Sequence, residues 1–322
     1  MPANRQWLII VVVFATLLAV PACTESGSPA ATYPAVDREE AIPNDIQKQG
    51  PETDLHPPIL HSTAYEKPVP LPHPVNTAGA EDSPFILPDG DTLYFFFTPD
   101  VRLEAEEQLQ DDVTGIWVTR KAKDAWSEPE RVWLQEPGKL ALDGAVSIQD
   151  DEMWFTSARE GYSGVNLFMA ERVEGKWANW QYGGDRLMEE IQAGEVHLHG
   201  DRLYFHSDRA GGKGDLDIWV TTRSAGAWSD PINVEAVNSS GMDAYPFVSA
   251  DGRELWFTRR VNGTPGIFRS LKKDGAWSPP ELIVSQFAGE PTLDSAGNLY
   301  FVHHFFENGV MVEADLYVAY KR

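Results

Sequence analysis

Five acidic positions recur in step with a repeat along this 322-residue chain: Asp82 (with Glu81), Asp143, Glu195, Asp243 and Glu290, each close to the start of a short apolar run. Carboxyl groups gathered at one opening raise one another's pKa or recruit a cation. Given partners, they instead accept backbone N–H bonds or pair with arginines, and their role is then structural. Arg159, Arg209 and Arg259 stand ready as partners in the second, third and fourth repeats. The first and fifth repeats carry Thr98-Pro99 and His303-His304 at the corresponding place. The least neutralised groups are thus Asp82, Glu290, His303 and the neighbouring His206. With Glu195 and Asp243 they form the candidate ligand-binding set. The expected occupant is a Ca²⁺-like ion or a cationic or polyhydroxylated ligand.

Such a set converges only if the repeats close into a ring. Five runs share an aliphatic-aromatic-Phe pattern: Leu93-Tyr94-Phe95, Met153-Trp154-Phe155, Leu203-Tyr204-Phe205, Leu255-Trp256-Phe257 and Leu299-Tyr300-Phe301. A turn signal precedes each, such as Asp89-Gly90 and Asp251-Gly252, and supplies the positive φ that a hairpin needs. A third strand follows each, as in Gly115–Val118 and Asp217–Val220, and Trp-Ser-x-Pro at 126–129, 228–231 and 277–280 opens a fourth. Trp177–Trp180 is a degenerate copy of that opening. Four short strands per unit, repeated, make a propeller blade whose first strand lines the central channel. The fifth unit stops after three strands at Arg322, and Tyr65–Val75, ahead of the first unit, supplies the missing one. The expected fold is all-β: a five-bladed β-propeller over residues 61–322, closed by an N-terminal strand in the last blade so that no sheet edge is left open. Aromatic residues recurring once per unit read as packing between neighbouring sheets.

Asp201–Arg209 with Gly211–Trp219, and Pro246–Gly252 with its Pro-x-x-Ser-x-Asp-Gly turn, resemble the WD40-like (PD40) repeat of the TolB type. That resemblance covers residues 65–322 and implies an extracytoplasmic module binding a protein or glycan partner without catalysis. Ala80–Leu87, Leu142–Val146 and Gly194–Leu198 are similar to the acidic neighbourhoods of five-bladed glycoside hydrolases of the arabinanase and xylosidase type. This second resemblance implies catalytic carboxyls at Asp82, Asp143 and Glu195, two of them about 6.5–9.5 Å apart for inverting hydrolysis. Ser83 interrupts the Asp-Pro pair of that family, and the three acids are more evenly spaced than its own.

Arg5 followed by the apolar stretch Trp7–Val20 reads as a signal segment over residues 1–22, too short to span a bilayer comfortably. Val20-Pro21-Ala22-Cys23 resembles the lipobox of bacterial lipoproteins, which implies lipidation of Cys23, the only cysteine. Residues 23–60, rich in Pro, Ala, Ser, Glu and Asp, are expected as a flexible tether. The implied location is the periplasm, outer membrane or cell surface, with membrane contact through the anchor alone. A formal charge of −23 argues against nucleic acid as a partner, and a monomer is expected.

Val101–Thr114, the longest insertion, is expected as a solvated loop or as a flap beside Asp82. His197 and His199 share one face of a strand, the geometry of a metal pair, though channel-lining or core histidines fit as well. Gly211-Gly212-Lys213-Gly214 lacks a following helix and reads as a hairpin loop.

Overall fold

The computed structural model describes residues 33–322 apart from residue 124. The expected signal segment and Cys23 lie outside the described residues. Among the described residues no helix is long and apolar enough to cross a membrane.

The chain is nearly all strand, laid out as successive antiparallel meanders. Their first strands are Ala80–Ile86, Ala141–Gln149, Val196–His199, Asp243–Val248 and Ala288–Leu293. Each pairs with the aliphatic-aromatic-Phe strand that follows it, and that strand pairs with a third. Together they make four sheets, because Ala314 pairs in parallel with Ala80 and so joins the last meander to the first. None of the four closes on itself. This is an all-β architecture of the kind a β-propeller has. Val69 and Pro70 pair antiparallel with Val318 and Tyr317, and the Leu71 N–H donates to the Leu316 carbonyl at 2.8 Å.

Where Trp-Ser-x-Pro occurs, the fourth strand comes in two pieces, for example Ala125–Trp126 and Glu130–Arg131. Proline has no N–H to give the ladder, and the serine fills the gap. The Thr119 hydroxyl donates to the Ser127 carbonyl, as Thr221 does to Ser229 and Ser270 does to Ser278. The second meander lacks Ser and Pro there, and its Lys176–Tyr182 strand runs unbroken. Trp154 against Trp228 and Tyr94 against Trp177 bridge neighbouring meanders, edge to face at 5.9 and 6.5 Å.

One irregularity positions the candidate site. Four of the five first strands slip register at the same place, between Asp82 and Phe85, Gly144 and Val146, Ala244 and Phe247, and Gly289 and Thr292. The slipped residues Ser83, Ala145, Tyr245 and Glu290 all have positive φ, between 44° and 55°. Such a bulge leaves a residue unpaired and re-aims its side chain. Pro84, Pro246 and Pro291, which cannot donate to the ladder, follow three of the four. In the third meander the Gly194 N–H donates to the His206 carbonyl at 2.9 Å and the strand starts at Val196, so Glu195 takes the equivalent place.

The segment expected as a tether lies against the sheets from Tyr33 onward. Tyr33 stacks on Trp133 at 5.0 Å, Arg38 is buried against Glu81, and Lys48 reaches Glu313 and Asp315. Ile59–Leu60 pairs with Val284–Ser285 as an added strand. The composition is that of a linker, but its two cations, Arg38 and Lys48, meet carboxylates that the sheets bury. The 101–114 insertion forms a short helix, Ala105–Gln108, and Arg102 ties it to Asp100 and to Asp45 of this arm. The flap expected beside Asp82 is therefore not formed: Arg102 holds the insertion to the arm.

Candidate functional site

The recurring acids fall into two rows, not one. Glu81, Asp143 and Asp243 occupy the same register, opposite Phe97, Ser157 and Arg259 of their second strands, and all three are fully buried. Each has a cation. Arg159 donates to Asp143 at 2.6 Å, with the Ser157 hydroxyl donating at 2.6 Å. Arg259 donates to Asp243 at 2.6 Å, with the Ser239 N–H and hydroxyl completing the shell. Glu81 accepts from Arg38 at 3.0 Å and from the Thr77 N–H and hydroxyl at 3.0 and 2.6 Å. Burial pushes Glu81 up to about 8, while the Arg38 charge and the Thr77 donors pull the other way and favour its ionised form.

The other row sits at the bulges. Ser83, Ala145, Glu195, Tyr245 and Glu290, one from each first strand, line a cavity of about 50 Å³. Asp82 precedes Ser83 and meets His304 of the fifth meander at 3.3 Å. Their side chains are 23% and 16% exposed, so the pair is enclosed yet reachable by water. Burial pushes Asp82 up, but the charge and hydrogen bond of His304 outweigh it and hold the carboxyl below its ordinary range. His304, lowered by burial and raised by Asp82, ends above its ordinary range. Glu195 is pushed up to about 8 by burial and then by the Asp82 charge. Glu290 is raised well above the usual carboxyl range by burial, then by Asp82 and Glu195. Burial, with these three carboxyls, raises the Tyr245 phenol. Burial lowers His206 to about 4, and its Nδ1 accepts from the Tyr245 N–H at 3.3 Å, which leaves the proton on Nε2. The shifts thus run in opposite senses: Asp82 and His304 favour their charged forms, Glu195 and Glu290 their protonated ones.

Phe85, His197 and Phe247, which pack on one another, also line a second cavity, of about 680 Å³ and bordered mainly by apolar residues. His197 is kept neutral by burial, pushed down to about 3, and donates Nε2–H to the Val248 carbonyl at 3.1 Å. It is thus engaged in packing, and does not act as a metal partner of His199.

Of the sequence-predicted set, Asp82, Glu195, Glu290 and His206 come together. Asp243 does not join them, because Arg259 and Ser239 engage it in the buried row. His303 turns away as well: its Nε2 bonds Asp54 at 2.8 Å, so His304 rather than His303 faces Asp82. Asp143, one of the three acids of the hydrolase resemblance, is locked to Arg159. Arg209 lies over the Trp219 ring at 4.8 Å and does not pair with Glu195. The Gly211–Gly214 loop wraps the Asp217 carboxylate, which accepts the Gly214 N–H at 3.2 Å. Sequence reasoning missed Tyr245, although aligning Pro84, Pro246 and Pro291 places it beside Ser83 and Glu290. Among the described residues no group of three His, Cys, Asp or Glu side chains is placed to hold a metal ion.

No family model and no curated protein matches the sequence. Among solved structures the chain is similar to TolB from Acinetobacter baumannii, at 14% identity over 76% of this chain and 55% of that one, with a TM-score of 0.43. It is similar to a gluconolactonase from Xanthomonas campestris, at 14% identity over 83% and 95%, with a TM-score of 0.47. An engineered GH43 glycoside hydrolase matches at 12% identity over 78% of this chain and 51% of its own, with a TM-score of 0.42. This chain thus spans about half the length of the first and third. Likeness of this extent carries nothing about ligand or reaction.

Proposed function

We propose that the chain is a five-bladed, ring-closed propeller in the cell envelope, anchored through Cys23, that binds a glycan or protein partner at its acidic bulge row without catalysis. Ring closure is supported by the five first strands lining one cavity and by the pairing of Val69 and Pro70 with the last meander. The anchor reading rests on Val20-Pro21-Ala22-Cys23 alone. One observation carries the binding reading: the buried row spends its carboxylates on arginines, whereas no Lys or Arg lines the bulge cavity. Uncommitted carboxyls at a reachable concavity are available to a ligand.

The second reading, hydrolysis, draws on the split between Asp82, held ionised, and Glu195, held protonated, which suits a base and an acid. Against it stands the cavity of about 50 Å³, too small to take in the sugar to be cleaved, whereas a partner that is only bound can rest across its mouth. Drug-sized ligands occupy roughly 300–1,000 Å³. Incubating the full chain with a panel of polysaccharides and aryl furanosides, and measuring retained and released sugar together, separates the two. Retention without release supports binding. Sugar release that disappears in Asp82→Asn overturns it in favour of hydrolysis.

A further inference from the structure

We infer that the bulge cavity is a receptor for a single organic cation group, a guanidinium or alkylammonium, taken up in exchange for protons. This rests on the binding reading above and names the chemistry of what enters.

Glu195, just ahead of the third meander's first strand, and Glu290, on the fifth's, line the cavity. Asp82 of the first meander lies close enough to act on both, and Glu195 accepts no side-chain hydrogen bond from any described residue. The carboxyls influence one another electrostatically, yet among the described residues no three acidic or His side chains are placed to ligate one metal ion. A bare ion needs its ligands at about 2.3–2.6 Å on all sides, as Ca²⁺ does. A guanidinium spreads five N–H donors over a plane and reaches carboxyls that are farther apart. The cavity of about 50 Å³ takes a few waters or one such group, not a sugar ring. The Tyr245 ring on its wall adds a π face for a cation.

Charge balance supplies the exchange. The titratable groups lining the cavity are Glu195, His197, Tyr245 and Glu290. Asp82, whose charge acts on Glu195, Glu290 and Tyr245, its partner His304, and His206, which accepts from the Tyr245 N–H, lie beside it. Asp82 is balanced by His304, while Glu195 and Glu290 hold their protons, so the empty site is close to neutral. An entering cation favours the ionised carboxyls and drives those protons off.

The test is calorimetric titration of the full chain with methylguanidinium at pH 7, in phosphate and in Tris, whose different ionisation heats reveal proton transfer. Methylurea serves as the uncharged control, and acetyl-arginine amide separates a partner's side chain from a free small cation. The expected result is binding with about one or more protons released and no binding of methylurea. E195Q/E290Q should bind at least tenfold more weakly and release none. Tighter binding of acetyl-arginine amide than of methylguanidinium points to a protein partner, and the reverse to a small molecule. If the double variant fails to fold by circular dichroism, E195Q alone is read the same way. Equal binding of methylurea, binding without proton release, or no methylguanidinium binding overturns the inference. Glycan retention in the preceding experiment would then leave the binding reading standing.

Discussion

A single residue separates Glu81 from Ser83, and Asp243 from Tyr245, yet the positions at the two ends of that step live in different chemistry. Ahead of the bulge, carboxylates are fully buried and held by guanidinium groups; at the bulge they face a cavity and hold their own protons. Side chains alternate faces along a strand, and the bulge resets that alternation. The lesson is that an acidic residue near a strand start says little until its register is known. One row ties first strands to their own second strands or to the arm, and the other lines a cavity.

The contrast is most exposed to challenge at the buried row. Arg159→Ala strands Asp143 in a fully buried position and removes a cation stacked 4.4 Å from the Trp180 ring. The expected loss is about 3–5 kcal/mol by urea unfolding. A loss below about 1 kcal/mol would show that the row is not held as described. Next comes the arm. Lys48→Met leaves Glu313 and Asp315 without their cation, but the Lys48 side chain is 41% exposed. Water shares that pairing, so a smaller loss of about 1–3 kcal/mol is expected in the same assay.

The bulge row should respond to pH more than to charge removal. Glu195→Gln swaps one uncharged group for another at pH 7, and little change in stability is expected there. Below about pH 4.5 Glu195 carries its proton folded and unfolded; between 4.5 and about 8 only the folded chain holds it. The unfolded state then binds fewer protons, so this group makes stability fall as pH rises through that window and adds no slope above it. Thermal unfolding from pH 4.5 to 8 should show a flatter decline in E195Q than in the parent, and an identical slope counts against a protonated Glu195. The smallest effect belongs to the surface. Lys139 and Glu160 are both about half exposed, and Lys139→Ala should leave the unfolding midpoint unmoved.

Much of the sheet layout was legible in the sequence. The aliphatic-aromatic-Phe runs are the second strands, and Trp-Ser-x-Pro marks the broken fourth ones. The site was half legible. Asp82, Glu195, Glu290 and His206 were nameable because the acids keep step with the repeat. The pairing of Asp143 with Arg159 and of Asp243 with Arg259 was legible from the arginines after their second strands. The sorting of the acids into two rows was not, because it depends on a one-residue slip that no residue type announces by itself. His303 and His304 are adjacent and face opposite ways, so choosing between them needs that same register. Arg38 was out of reach for another reason: it pairs with Glu81 from a stretch whose composition reads as linker.

The central claim is that the two rows differ in protonation, and infrared difference spectroscopy tests it directly. At pH 6 the full chain, compared with E195Q/E290Q, should show the C=O stretch of protonated carboxyls, with the Glu195 component fading as the pH passes about 8. Only ionised carboxylate bands at pH 6, with no protonated component lost in the double variant, would contradict it.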